Sequence, residues 1–365
     1  VIHALDLDTL ERPKDEAHRW FDFDALKAAA RMAPAAAPDP AGWFLPVDGP
    51  RLVFVDGVFD PAASDPRTVF VGENKRVDSA VPVGIPTEGE GWALFLGPDH
   101  AGDPVQVVHL STGRRNHVPA RIGLVDDAVA SVIETYAGPG GWTHRMTEIG
   151  LGRSARLMHS IRIVQDGGFV SLNHHAAVGQ GASLVTVVLG AGDAGCRIEA
   201  QVTLAGPGAY AELSGALLAR DTTGKEAALV LHHAEPGGTS RQVWRSVAAD
   251  RATASVAARV EVARDAQKTD AEQSLKGLLL ARTATINAKP ELEIFADDVK
   301  CAHGATVGEL DRNALFYLAQ RGIPPIEAKA LVTRAFVADA IGRIGDAAVR
   351  DVFMADADAW LGDGV

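Results

Sequence analysis

Cysteine is nearly absent: the chain has two in 365 residues, Cys196 and Cys301. They form no CxxC or CxxxC spacing, so neither a disulfide framework nor a closed structural zinc site follows, and a reducing compartment is the simpler expectation. Long hydrophobic runs are missing too. No apolar stretch approaches the roughly 20 residues of a membrane helix, and the N-terminus has no basic-then-apolar signal pattern, so a cytoplasmic location with no membrane contact is expected. Clustered Lys and Arg are also lacking; 35 basic against 47 acidic residues leave a net charge of −12, which argues against a nucleic-acid surface. No nucleophile elbow occurs, and no Ser, His and Asp set can be singled out.

Two glycine motifs look like phosphate cradles and fail on context. GAGDAG at 190–195 has the G-x-G-x-x-G spacing, but an alternating strand follows where a dinucleotide site needs a helix, so it reads as a corner. TTGKE at 222–226 resembles the end of a Walker loop, with Glu226 where Ser or Thr is required and Ala219 where a Gly is required; it reads as a turn.

What is present is β-structure between helical ends. Residues 9–32 are helix-permissive apart from Pro13, and MAPAAAPDPAG then reads as a linker. RLVFVDGVFDP at 51–61 has two apolar runs around Asp56-Gly57, a pair suited to a two-residue hairpin turn. Residues 62–90 are rich in turn formers and suggest no regular element. From 91 to about 308, apolar runs of four to eight residues recur at intervals of roughly 10–20 residues. Several alternate cleanly, as in Cys196, Ile198, Ala200, Val202 and Leu204 against Arg197, Glu199, Gln201 and Thr203. A solenoid, sandwich or barrel would fit. Scarce hairpin turns and small residues at corners (Gly190, Ala191, Gly192, Gly206, Gly208, Gly215) favour a parallel β-helix. After 308 the pattern turns helical: Asp311 is an N-cap candidate, Leu315, Phe316 and Leu318 an apolar face, Gly322 a stop, and Pro324-Pro325 a new start. Further helices are expected near 326–344 and 347–361. The expected organisation is 1–50 helical segment and linker, 51–90 hairpin and irregular connection, 91–310 β-helix, and 311–365 helical domain.

The densest chemistry lies in PELEIFADDVKCAHGATVG at 290–308. Leu292, Ile294 and Ala296 share one strand face and Glu291, Glu293 and Phe295 the other; Asp297-Asp298 marks a corner. Beyond it Val299, Cys301 and His303 share a face, which puts the thiol and imidazole about 6–7 Å apart at their α-carbons. Thiolate and imidazole suit iron or zinc, but two ligands close no site, and buried cysteines are often plain packing. His174-His175 and His232-His233 are adjacent pairs whose members point to opposite faces; a histidine ladder across coils would need register to be read. Asp297-Asp298 could be the carboxylate pair of a β-helix polysaccharide lyase or hydrolase, although corner aspartates that bond their own backbone are commoner.

The blocks KTDAEQSLKGLLL, KPELEIFADDVKCAHGATVG, ALFYLAQRGI and AKALVTRAFVADAI, with RLVFVDGVF, ASVIETY and TEIGLGRSARLMHSIRI before them, resemble the SufB/SufD family of SUF iron–sulfur cluster assembly scaffolds, on its SufD branch. The similarity runs from Arg51 onward. In DEAHRWFDFDAL a family Trp that precedes the basic residue is displaced to Trp20, with His18 in its place. The resemblance implies a right-handed parallel β-helix (solenoid) between helical ends, and a non-catalytic subunit that pairs with SufB and docks the ATPase SufC. In this family the histidine of C-x-H-G-A-T lies at the SufB–SufD interface, which puts that role on His303, with Cys301 beside it. SufC docking falls on roughly 311–345, with Arg321, Arg334 and Phe336 as candidate contacts. The sulfur-accepting cysteine of SufB-type chains is replaced by Ala284. No tightly bound cofactor is implied; iron or a nascent cluster would be held transiently, His303 sharing it with ligands from SufB. A homodimer acting without SufB is an alternative.

Overall fold

The computed structural model describes residues 16–67, 69–74, 89–97 and 103–362. From Gly89 the chain winds through two sheets, each strand pairing in parallel with the strand two further along, eight strands in each; three earlier strands bring the sheets to ten and nine. Eight two-strand coils result. Arg156 pairs with Ser183 and Ser183 with Tyr210, an offset of 27 residues each time; later offsets are larger, as from Asp270 to Lys300. The β-solenoid expected from the apolar runs is therefore the fold.

Alternation sends one row of each strand inward. Cys196, Ile198, Ala200, Val202 and Leu204 are all buried and stack on Val170, Leu172, His174, Ala176 and Val178 of the preceding coil. Small residues let coils approach closely, at corners and within strands. A Cβ on Gly192 would lie 2.4 Å from Gln165 O, so only glycine fits that corner. Gly215, expected at a corner, instead sits inside the strand Tyr210–Ala219, where a Cβ would meet the Trp244 ring at 2.9 Å.

The hairpin forms as expected: strands Arg51–Val55 and Val58–Phe59 flank Asp56 and Gly57, with φ of 48° and 82°. Strand Phe70–Asn74 pairs antiparallel with Gly89–Leu96, so the stretch read as irregular contains a regular element; residues 75–88 of that stretch lie outside the described residues. At this end each sheet thus finishes in a short antiparallel strand. At the other end the last strands are Thr285–Ile294 and Lys300–Glu309, and nothing among the described residues pairs with their outer edges.

Helices cover the sheets' outer faces. Of the expected N-terminal helix the structure shows a turn at Glu16–His18 and α1 at Phe23–Ala29, capped by Asp22; residues 9–15 lie outside the described residues. Phe21, Phe23 and Leu26 pack on Trp142 and Phe169 of the nine-stranded sheet, and His18 is buried with Nε2 3.5 Å from Glu199. At the C-terminus come α2 (Arg312–Ala319), α3 (Pro325–Ile341) and α4 (Ala347–Gly362). Val337, Ile341, Phe353 and Trp360 pack on Val187, Leu189, Leu218 and Val247 of the ten-stranded sheet. Arg162 pairs with Asp356, Arg245 with Asp339 and Arg343 with Glu212 across this contact. As expected, Asp311 caps α2, its side chain accepting from Asn313 N, but the apolar face of that helix is only partly covered: Leu315 and Leu318 are half-buried and Phe316 is 65% exposed.

Candidate functional site

The bare end of the solenoid is the candidate site. Thr285–Ile294 closes one sheet, residues 295–299 turn the corner, and Lys300–Glu309 closes the other. Cys301, His303 and Ala305 pair with Ala271, Gln273 and Leu275, all three buried inside the preceding coil. The odd-numbered row of the last strand therefore points into the lumen, and with no further coil above it His303 is exposed. Across the lumen Ile286, Ala288 and Leu292 line the opposite wall, partly buried against the core. Thiol and imidazole do share a face, as the alternation required.

Both edges lack a pairing strand among the described residues. Lys300 N donates back to Thr269 O at 2.8 Å, so by period-two alternation the N–H groups of Cys301, His303 and Ala305 face outward along the open edge. On the facing strand Thr285 N and Phe295 N donate back to Ala252 and Val262, which turns the even positions outward. Pro290, with no N–H, is one of them. Phe295 and Val307 add exposed apolar surface at this end.

The two cysteines differ in place. Cys301 packs partly against the core, and burial pushes its thiol pKa up, which disfavours the thiolate. Cys196 is deep inside the solenoid, also pushed up by burial, beside Lys225 in register. Lys225 corrects the reading of TTGKE: Thr222 and Thr223 turn, but Gly224–His233 is a strand and Lys225 lies within it, buried, donating to the carbonyls of Gly190 and Gly192. Burial pushes that ammonium down to about 8. The GAGDAG stretch is a coil corner between two strands.

Asp298 pairs with Lys268 at an exposed corner, which leaves no free carboxylate pair there. Arg321 stacks on Tyr317, 3.5 Å above its ring. Arg334 is 2.8 Å from Asp358 and ties α3 to α4, while half-buried Phe336 lies under the Arg245 guanidinium. Around them Phe316, Tyr317, Ile326 and Leu331 are exposed. Among the described residues no group of three or more His, Cys, Asp or Glu could hold a metal ion.

Inside the first coils lies a polar network that sequence reasoning missed. His109 and His159 each place Nε2 on Glu134, at 3.1 and 2.9 Å, and Tyr136 OH donates to the same carboxylate at 2.6 Å. Arg145 Nε donates to His109 Nδ1 at 3.1 Å, so the His109 proton sits on Nε2 and is donated to Glu134. Burial opposes ionisation of Glu134, yet the hydrogen bonds from His109 and His159 hold it well below the usual carboxylate range. Burial lowers His109 to about 4 and His174, beside His159, to about 3. The adjacent pairs split across faces as alternation required: His174 and His233 are inside and buried, His175 and His232 outside. The available signal was the coil period: Glu134 lies 25 residues after His109 and 25 before His159, and on the outward row His117 and His144, 27 residues apart, stack with centroids at 5.0 Å.

Residues 113–336 match the family model described as SUF system FeS cluster assembly, SufBD core domain. The iron–sulfur cluster assembly protein SufD of Escherichia coli (strain K12) is 26% identical over 359 residues, covering 85% of this chain and 79% of its own length. An iron–sulfur cluster assembly SufBD family protein of Synechocystis is 27% identical over 387 residues, covering 92% of this chain and 84% of its own. Protein ABCI7, chloroplastic, of Arabidopsis thaliana is 31% identical over 236 residues, covering 63% of this chain and 48% of its own.

Proposed function

The chain belongs to the SufBD core family of the SUF iron–sulfur cluster assembly system, and from that membership we propose that it is a SufD-type scaffold subunit whose bare solenoid end meets a SufB-type partner. The observation that carries this is the coincidence of the exposed His303 with two unpaired strand edges. A partner's strands can continue both sheets by backbone hydrogen bonding, and the apolar row facing the lumen is covered in the same event. His303 then faces the partner's residues across the junction. There it serves as an iron ligand or proton-transfer group for the nascent cluster, which is cargo and not a resident cofactor. The remaining ligands come from the partner, a thiolate being the best match for iron. Cys301 is the weaker candidate, because its burial favours the neutral thiol.

The SufC-type ATPase docks on the helical end, in this proposal, over α2 and the start of α3. The exposed Phe316, Tyr317, Ile326 and Leu331 supply apolar anchors, with Arg321 at the rim. Arg334 acts there by tying α3 to α4, and Phe336 by seating α3 on Arg245 of the ten-stranded sheet. The subunit contributes no ATPase chemistry of its own.

The test is co-expression with the SufB and SufC proteins of the same organism and pull-down on a tag placed on this chain. Both partners should be recovered, and His303→Ala should keep the complex while abolishing cluster assembly. A chain that is recovered only with itself refutes pairing with SufB and leaves the homodimer; normal assembly by the histidine variant refutes its role.

A further inference from the structure

Directly beneath His303 in the inward row stands Gln273, and beneath that Gln242. Gln273 is 1% exposed. Its Nε2 donates to Gln242 Oε1 at 2.6 Å and, across the lumen, to Ala258 O at 2.8 Å. A carboxamide nitrogen has two hydrogens, and both are used on acceptors, so the orientation of the amide is fixed by its surroundings. Its Oε1 has no hydrogen-bond partner among the described residues. A buried acceptor is thus left open one coil below an exposed imidazole, on neighbouring strands whose α-carbons lie about 4.8 Å apart and whose side chains share a face.

We propose that Gln273 is the positioning residue for His303: its Oε1 accepts one ring N–H and so fixes the tautomer and ring plane of the histidine. This rests on the role assigned to His303 above. A neutral imidazole has one N–H and one lone pair; giving the N–H to Gln273 turns the lone pair of the other nitrogen out of the solenoid mouth, toward whatever covers it. The arrangement corresponds to the outer hydrogen bond by which metal-binding histidines are commonly oriented, supplied here by an amide that is itself clamped from both walls of the lumen. Cys301 has no side-chain acceptor beneath it, since Ala271 lies there and offers the thiol a backbone hydrogen bond only. The row therefore supplies a side-chain acceptor to the imidazole and none to the thiol.

The test uses the full chain labelled with 15N-histidine, the His303 signals being identified by their loss in His303→Ala. In the native protein the neutral His303 ring should show one tautomer. Gln273→Leu and Gln273→Met, which keep the volume and remove the acceptor, should both give averaged ring shifts, while Gln273→Glu should restore a single tautomer. In the complex with SufB- and SufC-type partners, the removing variants should lower cluster assembly by about tenfold with unchanged partner recovery, and Gln273→Glu should recover it. Circular dichroism identifies a variant that does not fold, and either removing variant suffices. Identical tautomer populations in the native chain and the removing variants overturn the proposal. So does wild-type assembly by those variants when His303→Ala is inactive. If His303→Ala itself assembles clusters normally, the role of His303 fails, while the tautomer comparison still decides the contact.

Discussion

Acidification should loosen the solenoid from its first coils. His109 and His174 lie in the lumen there, lowered by burial to about 4 and about 3, and burial holds His144 well below its ordinary value too. An unfolded histidine titrates near ~6.5. Because the folded values are depressed, the unfolded chain binds more protons between the two, so stability is full above about pH 6.5 and falls as the pH drops toward the folded values. At about 1.4 kcal/mol per unit, moving from pH 7 to pH 5 costs about 2 kcal/mol for each such histidine. His109 and His174 together cost about 4 kcal/mol, a large part of the total stability of an ordinary domain. In a solenoid each coil is held mainly by its neighbours, so the loss should stay local at first. Hydrogen exchange at pH 7 and pH 5 measures it: amides of 105–178 should lose protection before those of 239–294. His174→Gln should remove about a fifth of the pH dependence of the melting temperature, since burial holds His117, His144 and His233 down as well. Equal melting temperatures at the two pH values, or exchange that begins in the last coils, would refute the buried, neutral state assigned to these histidines.

Two further outcomes test the packing. Phe353→Ala, at a fully buried side chain between α4 and the ten-stranded sheet, should cost about 3–5 kcal/mol and make the α3–α4 hairpin the first site of limited proteolysis; an unchanged melting temperature would contradict that contact. Gly215→Val places a side chain against the Trp244 ring and should cost about 1–3 kcal/mol, with a shifted tryptophan emission as the independent sign.

The strands were legible because alternation is local: Cys196 to Leu204 declares its inward row without reference to anything else. The shared face of Cys301 and His303 was legible for the same reason, and the helix start at Asp311 because a cap acts within three residues. What could not be read was register. Gln273 meets His303, and Glu134 meets His109 and His159, only once coils of 25 to 31 residues are stacked in a definite phase, and no local pattern sets that phase. The same limit hid Lys225, whose motif suggested a loop while its coil neighbour Cys196 placed it inside. For α2 the apolar spacing was read correctly, but spacing does not say whether the protein itself or something else covers the face.

The two ends of the solenoid are unlike, and that difference sets how far it can grow. At the first end short antiparallel strands terminate each sheet, and short edges are poor templates for further pairing. Among the described residues only the last coil offers long parallel edges. A body with one joinable end can take part in a single junction, after which no long edge is left over. Joined through those edges as proposed, such solenoids would form a closed pair and not a fibre, the outcome expected of bodies joinable at both ends. Backbone pairing, ordinarily an open-ended mode of association, would then be limited to one event per chain.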